Sequence, residues 1–227
     1  MSINRAALYR EYRIKLKYEI LLVSFLVLIF GDVFFENDVN AAPFLIIQNV
    51  LASMVLFYGK KKWRLPLLLI FLTISVLVVF DLILGRTGYL RIIFALTYMV
   101  YFVFLSTEVF HQILRMKEVN LSSISAVLCG FIILGLIGGY TFSIIEVSQP
   151  GSFSNLSSGL NKFEDLIYFS FVTILSVGYG DISPVTLIAK KAAMFFGLLG
   201  YFYGVVVIGI MIGRFISERD NSTNEDS

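Results

Sequence analysis

Apolar runs long enough to cross a bilayer recur along nearly the whole of this chain, at about residues 18–36, 43–59, 65–85, 89–111, 121–146 and 186–215. This pattern narrows the possible folds more than any other feature. No water is available inside the hydrocarbon to pair with main-chain N–H and C=O groups. A spanning segment must therefore close its own hydrogen bonds as a helix or belong to a closed barrel. Runs of roughly 18 or more apolar residues are of helix length. The composition agrees, with 58% hydrophobic and 15% charged residues and 22 phenylalanines in 227 residues. The expected fold class is an all-α integral membrane protein of six transmembrane helices with little soluble mass.

Several function classes fall away on composition. A net charge of +2 is too small to argue for a nucleic-acid partner. One cysteine, Cys129, allows neither an internal disulfide nor a cysteine metal cluster. In its apolar run it reads as a packed side chain. His111, the one histidine, lies at a predicted helix end and reads as a boundary residue. No nucleophile constellation or phosphate-binding loop appears, which argues against an enzyme.

The distribution of Lys and Arg sets the expected orientation. With the N-terminus inside, the inner segments hold Arg5, Arg10, Arg13, Lys15, Lys17, Lys60, Lys61, Lys62, Arg64, Arg115, Lys117, Arg214 and Arg219, thirteen in all. The outer segments hold five: Arg86, Arg91, Lys162, Lys190 and Lys191. Both termini are therefore expected in the cytoplasm of a multi-pass cell-membrane protein. Residues 1–17 read as a basic amphipathic leader on the membrane surface or as a plain basic lead into the first span. Tyr18, Tyr58, Trp63 and Tyr89 fall where aromatic side chains place polar tips among headgroups.

Residues 147–185 break the pattern. They open polar and flexible, SQPGSFSNLSSGLNK over 148–162, and include the sequon Asn155-Leu156-Ser157. A short apolar segment comes next at 163–175, about 20 Å as a helix, too short to cross. It reads as a re-entrant helix, with Asn161 and Glu164 at capping-box spacing. The segment ends in SVGYGD, 176–181. Irregular backbone at membrane depth is tolerated where it is buried in protein or lines a watery path. Glycines at alternate positions allow dihedrals that set successive carbonyls on one side of the chain. A row of carbonyl oxygens can replace a cation's water shell, so the main chain itself serves as the ligand.

SVGYGD resembles the selectivity filter of potassium channels, usually TVGYG. The likeness runs through YFSFVTILSVGYGDISPVT, 168–186, and covers the two-helix pore domain at 121–215. It implies a fold in which a pore helix at 163–175 and a filter at 176–181 lie between the fifth and sixth spans. It also implies K+ as the permeant ion, held by Ser176, Val177, Gly178, Tyr179 and Gly180. Ser176 stands where the family usually has threonine, which removes a packing methyl and puts tightness of selection in doubt. Tyr179 would point away from the pore toward Tyr168 and Phe169 of neighbouring chains. Asp181 would bond a pore-helix aromatic, a tyrosine here where the family often has tryptophan. Thr173 would pack behind the filter. One loop per chain implies a homotetramer in the lipid bilayer. Gly200 lies nineteen residues after Asp181, where the family commonly has a hinge glycine; close packing is the other reading.

Residues 18–111 resemble the four-helix domain of voltage-gated channels without their arginine repeat. The fourth span holds only Arg91, near its outer end, and steep voltage gating needs several moving charges. Asp81 is placed to pair with Arg86 or Arg91. Glu108 and Glu146 lie near span ends and suggest no role. Asp32, inside the first span, is the least comfortable charge and reads as facing a watery crevice or a ligand. Residues 216–227 read as a short disordered tail. The expectation is a potassium-selective channel without conventional voltage gating. Three other readings stand beside it: a less selective cation channel, a non-conducting sensor or partner subunit, and an active transporter. The last is disfavoured because 121–215 has no earlier repeat.

Overall fold

The computed structural model describes residues 16–34, 41–57, 65–66, 69, 72–76, 88–115, 121–158 and 161–225. Helix α1 spans Lys17–Phe30 and passes into a 3-10 turn at Gly31–Phe34. Helix α2 lies at Ala41–Ser53. Two long helices come next, α3 at Gly88–Arg115 and α4 at Leu121–Ser148. Strand β1, Phe153–Ser154, precedes α5 at Asn161–Ile174, and strand β2, Ser183–Pro184, precedes α6 at Leu187–Glu225.

Among the described residues, three helices are long and apolar enough to cross a membrane: Ile92–Leu114, Leu121–Ser148 and Leu187–Arg214. The expected first and second spans are shorter as helices. Fourteen residues in α1 reach about 21 Å, less than the roughly 30 Å hydrocarbon core. Most of the expected third span, the leader at 1–15 and the Asp81–Arg86 segment lie outside the described residues, as do the side chains of Asp32 and Arg91.

Helix α4 is the axis of the chain. One side faces α1 and α3 through a core that includes Tyr18, Leu21, Phe25, Tyr98, Phe102 and Ile133. Tyr98 stacks on Tyr140 with ring centroids 5.4 Å apart, which ties α3 to α4. The other side faces α5 and α6 through Phe142, Phe153, Leu166, Phe169 and Phe196. Small residues allow the close approach: a Cβ on Gly139 would fall 3.0 Å from the Cα of Ile167 on α5.

A polar network crosses the first three helices without using a charge. Asn49 is fully buried; its Nδ2 donates to Ser24 Oγ at 2.9 Å, and Tyr101 donates to its Oδ1 at 3.1 Å. Tyr18 departs from its expected place at the headgroups. It is buried, and its hydroxyl donates to Gln112 Oε1 at 2.5 Å, because a polar side chain on α3 offers a partner inside the bundle. Gln112 also bonds Lys17 and the buried Glu108. Cys129 is buried, with Sγ 3.6 Å from the Tyr18 carbonyl.

The end of the chain also departs from expectation. Residues 216–225 continue α6 as a helix to Glu225 rather than forming a disordered tail. After Gly213 the segment contains neither proline nor glycine, so nothing in its backbone chemistry stops the helix.

Candidate functional site

Helix α5 is held along its length. Ser170 is buried and donates from Oγ to the Gly135 carbonyl of α4 at 2.7 Å. Thr173 turns its hydroxyl back to the Phe169 carbonyl at 2.7 Å, so that hydroxyl is spent on its own helix. At the N-terminal end, Asp165 accepts the Ser157 N–H at 2.6 Å. The side chain of Asn161, one half of the expected capping box, is not among the described side chains.

The helix stops in a Schellman arrangement. Ser176 N–H donates to the Thr173 carbonyl at 3.1 Å, and Val177 N–H to the Val172 carbonyl at 2.9 Å. Gly178 N–H shares that Val172 carbonyl at 3.2 Å. The residue at the turn, Ser176, sits in the left-handed region at φ 57. Glycine usually fills this place, and a side chain there costs about 1–2 kcal/mol. Serine, unbranched at Cβ, is less obstructed there than threonine.

The left-handed turn then repeats at every second residue. Gly178 has φ 54 and Gly180 φ 82, while Val177 and Tyr179 are not in the positive-φ region. A change of sign in φ from residue to residue undoes each helical turn. It is the condition for successive carbonyls to share one edge of an extended strand. The same edge begins where α5 ends, and a helix C-terminus carries partial negative charge. The whole arrangement favours a cation. In the single chain Val177 is 47% exposed and Tyr179 73% exposed.

Beyond Gly180 the chain is pinned. The Tyr168 hydroxyl on α5 favours the charged Asp181 carboxylate and holds that carboxyl below its ordinary range. Asn155 Nδ2 donates to the Asp181 carbonyl at 2.8 Å. Strands β1 and β2 pair antiparallel, Phe153 opposite Pro184 and Ser154 opposite Ser183. The stretch before α5 thus lies beside the stretch after the carbonyl row. Ser183 Oγ is 3.4 Å from the Gly180 carbonyl, a long contact that leaves that oxygen largely free.

Of the two aromatic residues expected to face a neighbour, Tyr168 is exposed but Phe169 is not. Phe169 packs inside its own chain, 5.1 Å from Phe142 and 5.4 Å from Phe153 between ring centroids. Helix geometry turns consecutive residues about 100° apart, so one of such a pair faces the core. Gly200 packs directly on the last turn of α5: a Cβ there would lie 2.8 Å from the Cα of Ile174.

Glu146 has a place that sequence reasoning missed. It is buried at the end of α4 and accepts Gly151 N–H at 3.0 Å, Phe153 N–H at 3.2 Å and Lys162 Nζ at 2.8 Å. It joins α4, the loop and the first turn of α5. The one available signal was an acid closing a long apolar run, with a lone lysine in the next loop.

Residues 126–217 match the ion channel family. This segment is an ion-channel pore domain. The pore domain is distantly similar to proteins named for potassium conduction, and it is not an enzyme. Two pore potassium channel c of Oryza sativa subsp. japonica is 32% identical over 91 residues, 40% of this chain and 19% of that protein. Protein LctB of Geobacillus stearothermophilus is 40% identical over 63 residues, 28% of this chain and 46% of that protein. Two-pore potassium channel 2 of Arabidopsis thaliana is 32% identical over 57 residues, 25% of this chain and 13% of that protein. The matched part of this chain thus spans less than half of each relative's length. No solved structure matches the chain.

Proposed function

We propose that the chain is one subunit of a homotetrameric, K+-selective channel of the cell membrane. K+ passes down its gradient between the main-chain carbonyls of Ser176, Val177, Gly178, Tyr179 and Gly180. The observation that carries this reading is the alternation of left-handed φ at Ser176, Gly178 and Gly180 directly after a half-length helix. One strand offers a cation only one side of a coordination shell, and four strands around an axis close it. The exposure of Val177 and Tyr179 fits side chains that neighbouring copies cover. The names of the plant relatives favour K+ as the ion.

In the same reading the chain spans the bilayer six times with both termini in the cytoplasm, and α5 enters from outside and returns. Residues 18–111 form a four-helix domain beside the pore domain at 121–215. The buried network of Ser24, Asn49 and Tyr101 is uncharged, which suits a domain that does not move charge through the field.

The test is the reversal potential of the purified protein in planar bilayers, with K+ on one side and Na+ on the other. The expected value lies near the K+ equilibrium potential, and Gly178→Asp abolishes the current. A robust current reversing near zero would replace this reading with that of a less selective cation channel. No current under any condition would leave a non-conducting subunit as the better reading.

A further inference from the structure

Gly180 closes the carbonyl row at φ 82. Glycine has no Cβ to hold it there and populates many other backbone conformations as readily. The orientation of its carbonyl is therefore fixed by the next residue along the chain, Asp181. We propose that Asn155 is a positioning residue for the outer end of the carbonyl row, acting through Asp181. This inference rests on the filter reading above.

Asp181 is gripped on two sides. The Tyr168 hydroxyl of α5 favours its charged carboxylate, and its main-chain carbonyl takes the Asn155 amide at 2.8 Å. The second grip comes from a different part of the chain, 26 residues earlier. Asn155 itself is in the left-handed region at φ 59, where asparagine is several-fold enriched over other side chains. The register places it there: Ser154 stands opposite Ser183 in the antiparallel pair, so Asn155 comes level with Ile182, beside Asp181. The rest of the seam supports it. Val185 N–H donates to the Ser152 carbonyl at 2.8 Å, Thr186 Oγ1 to Ser152 Oγ at 3.1 Å, and Ser154 Oγ to the Ser183 carbonyl at 3.2 Å. A two-residue ladder is marginal by itself, and the Asn155 amide extends it to the residue next to Gly180. The amide of the sequon is thereby engaged within the chain.

Two variants separate the amide from the backbone. Asn155→Gly keeps the left-handed φ and removes the donor. Asn155→Asp keeps the shape and sets an acceptor against the Asp181 carbonyl. Gel filtration shows whether each assembles like the wild type. Macroscopic current is then recorded over time at low and at high outer K+. Both variants are expected to lose current about three- to tenfold faster than wild type at low outer K+, the range one ordinary hydrogen bond supports. High outer K+ is expected to restore the wild-type rate, because an ion in the outermost site holds the same carbonyls from within. A purely structural role would not answer to outer K+. Wild-type rates in both variants, or faster loss that ignores outer K+, would overturn the proposal. A wild-type protein without K+-selective current would show that the filter reading itself has failed, and the proposal falls with it.

Discussion

Gly200 of α6 and Ile174 of α5 touch main chain to main chain. A methyl group on Gly200 would fall 2.8 Å from both Cα and Cβ of Ile174 and closer still to its carbonyl oxygen. Ile174 is buried, the last residue of the helix that leads into the carbonyl row. The spacing from Asp181 allowed either a hinge or a packing role, and the contact supports packing.

Gly200→Ala is therefore expected to destabilise the purified protein by about 1–3 kcal/mol, the usual cost of forcing volume into a filled contact. Gly204→Ala is the control. A Cβ there meets nothing within 4 Å, so alanine's better helix propensity leaves stability equal or slightly higher. Thermal unfolding in detergent measures both. A pure hinge at Gly200 would instead leave stability unchanged and alter only the open probability in single-channel records.

Glu146 makes a second stability prediction. It is 3% exposed with three donors on its carboxylate, while its ion-pair partner Lys162 is 40% exposed. Glu146→Gln removes the ion pair and turns an NH2 group toward one of the two main-chain N–H donors, which then lacks an acceptor. A loss of about 1–3 kcal/mol is expected. Lys162→Met should cost distinctly less, since the carboxylate keeps both main-chain donors and the lysine is half in solvent. Unfolding midpoints of the two variants in one detergent give the comparison.

Asp181 sets the expected acid response at the end of the carbonyl row. The Tyr168 hydroxyl favours its charged carboxylate and lowers its pKa. The contribution of the charged form is present at neutral pH and is lost as pH falls through that lowered value. Current is expected to stay flat from neutral pH down to about 4, the ordinary aspartate value. Tyr168→Phe removes the donor, so the carboxyl titrates nearer the ordinary value and acid loss begins at higher pH. An outside-pH titration of both proteins checks the order. Identical curves would show that the Tyr168–Asp181 bond does not govern the response.

What could be read from sequence depended on how local each requirement was. The alternation of glycines at 178 and 180 is a demand that the backbone makes on its own residues, and it was visible in SVGYGD. The half-length helix was visible too, expected at 163–175 and found at Asn161–Ile174. The role of Glu146 was hidden because its partners lie up to sixteen residues away, around a loop with no periodicity. Asn155 was hidden for the same reason, its partner lying 26 residues further along the chain. Hydropathy put Tyr18 at a boundary, but only packing against Gln112 shows that it is buried. Polarity after Phe215 outweighed the absence of any helix breaker, so the final turns of α6 were misjudged.

Arg214 of α6 ties that helix to the end of α3. Arg214 donates from Nη1 to the Ile113 carbonyl at 2.9 Å and from Nη2 to the Leu114 carbonyl at 3.0 Å. Both acceptors belong to the last turn of α3, whose final carbonyls have no partner within the helix. The guanidinium also meets the negative end of the helix dipole. Arg214→Gln is expected to cost about 0.3–2 kcal/mol, the range for a cation at a helix C-terminus. Arg214→Lys should recover part of this, because it restores the charge but not the planar fork that reaches two carbonyls at once. Thermal unfolding in low salt orders the three proteins as wild type, Arg214→Lys, Arg214→Gln. If lysine matched arginine, charge alone would account for the contact. If glutamine matched arginine, the tie between α3 and α6 would carry no stability.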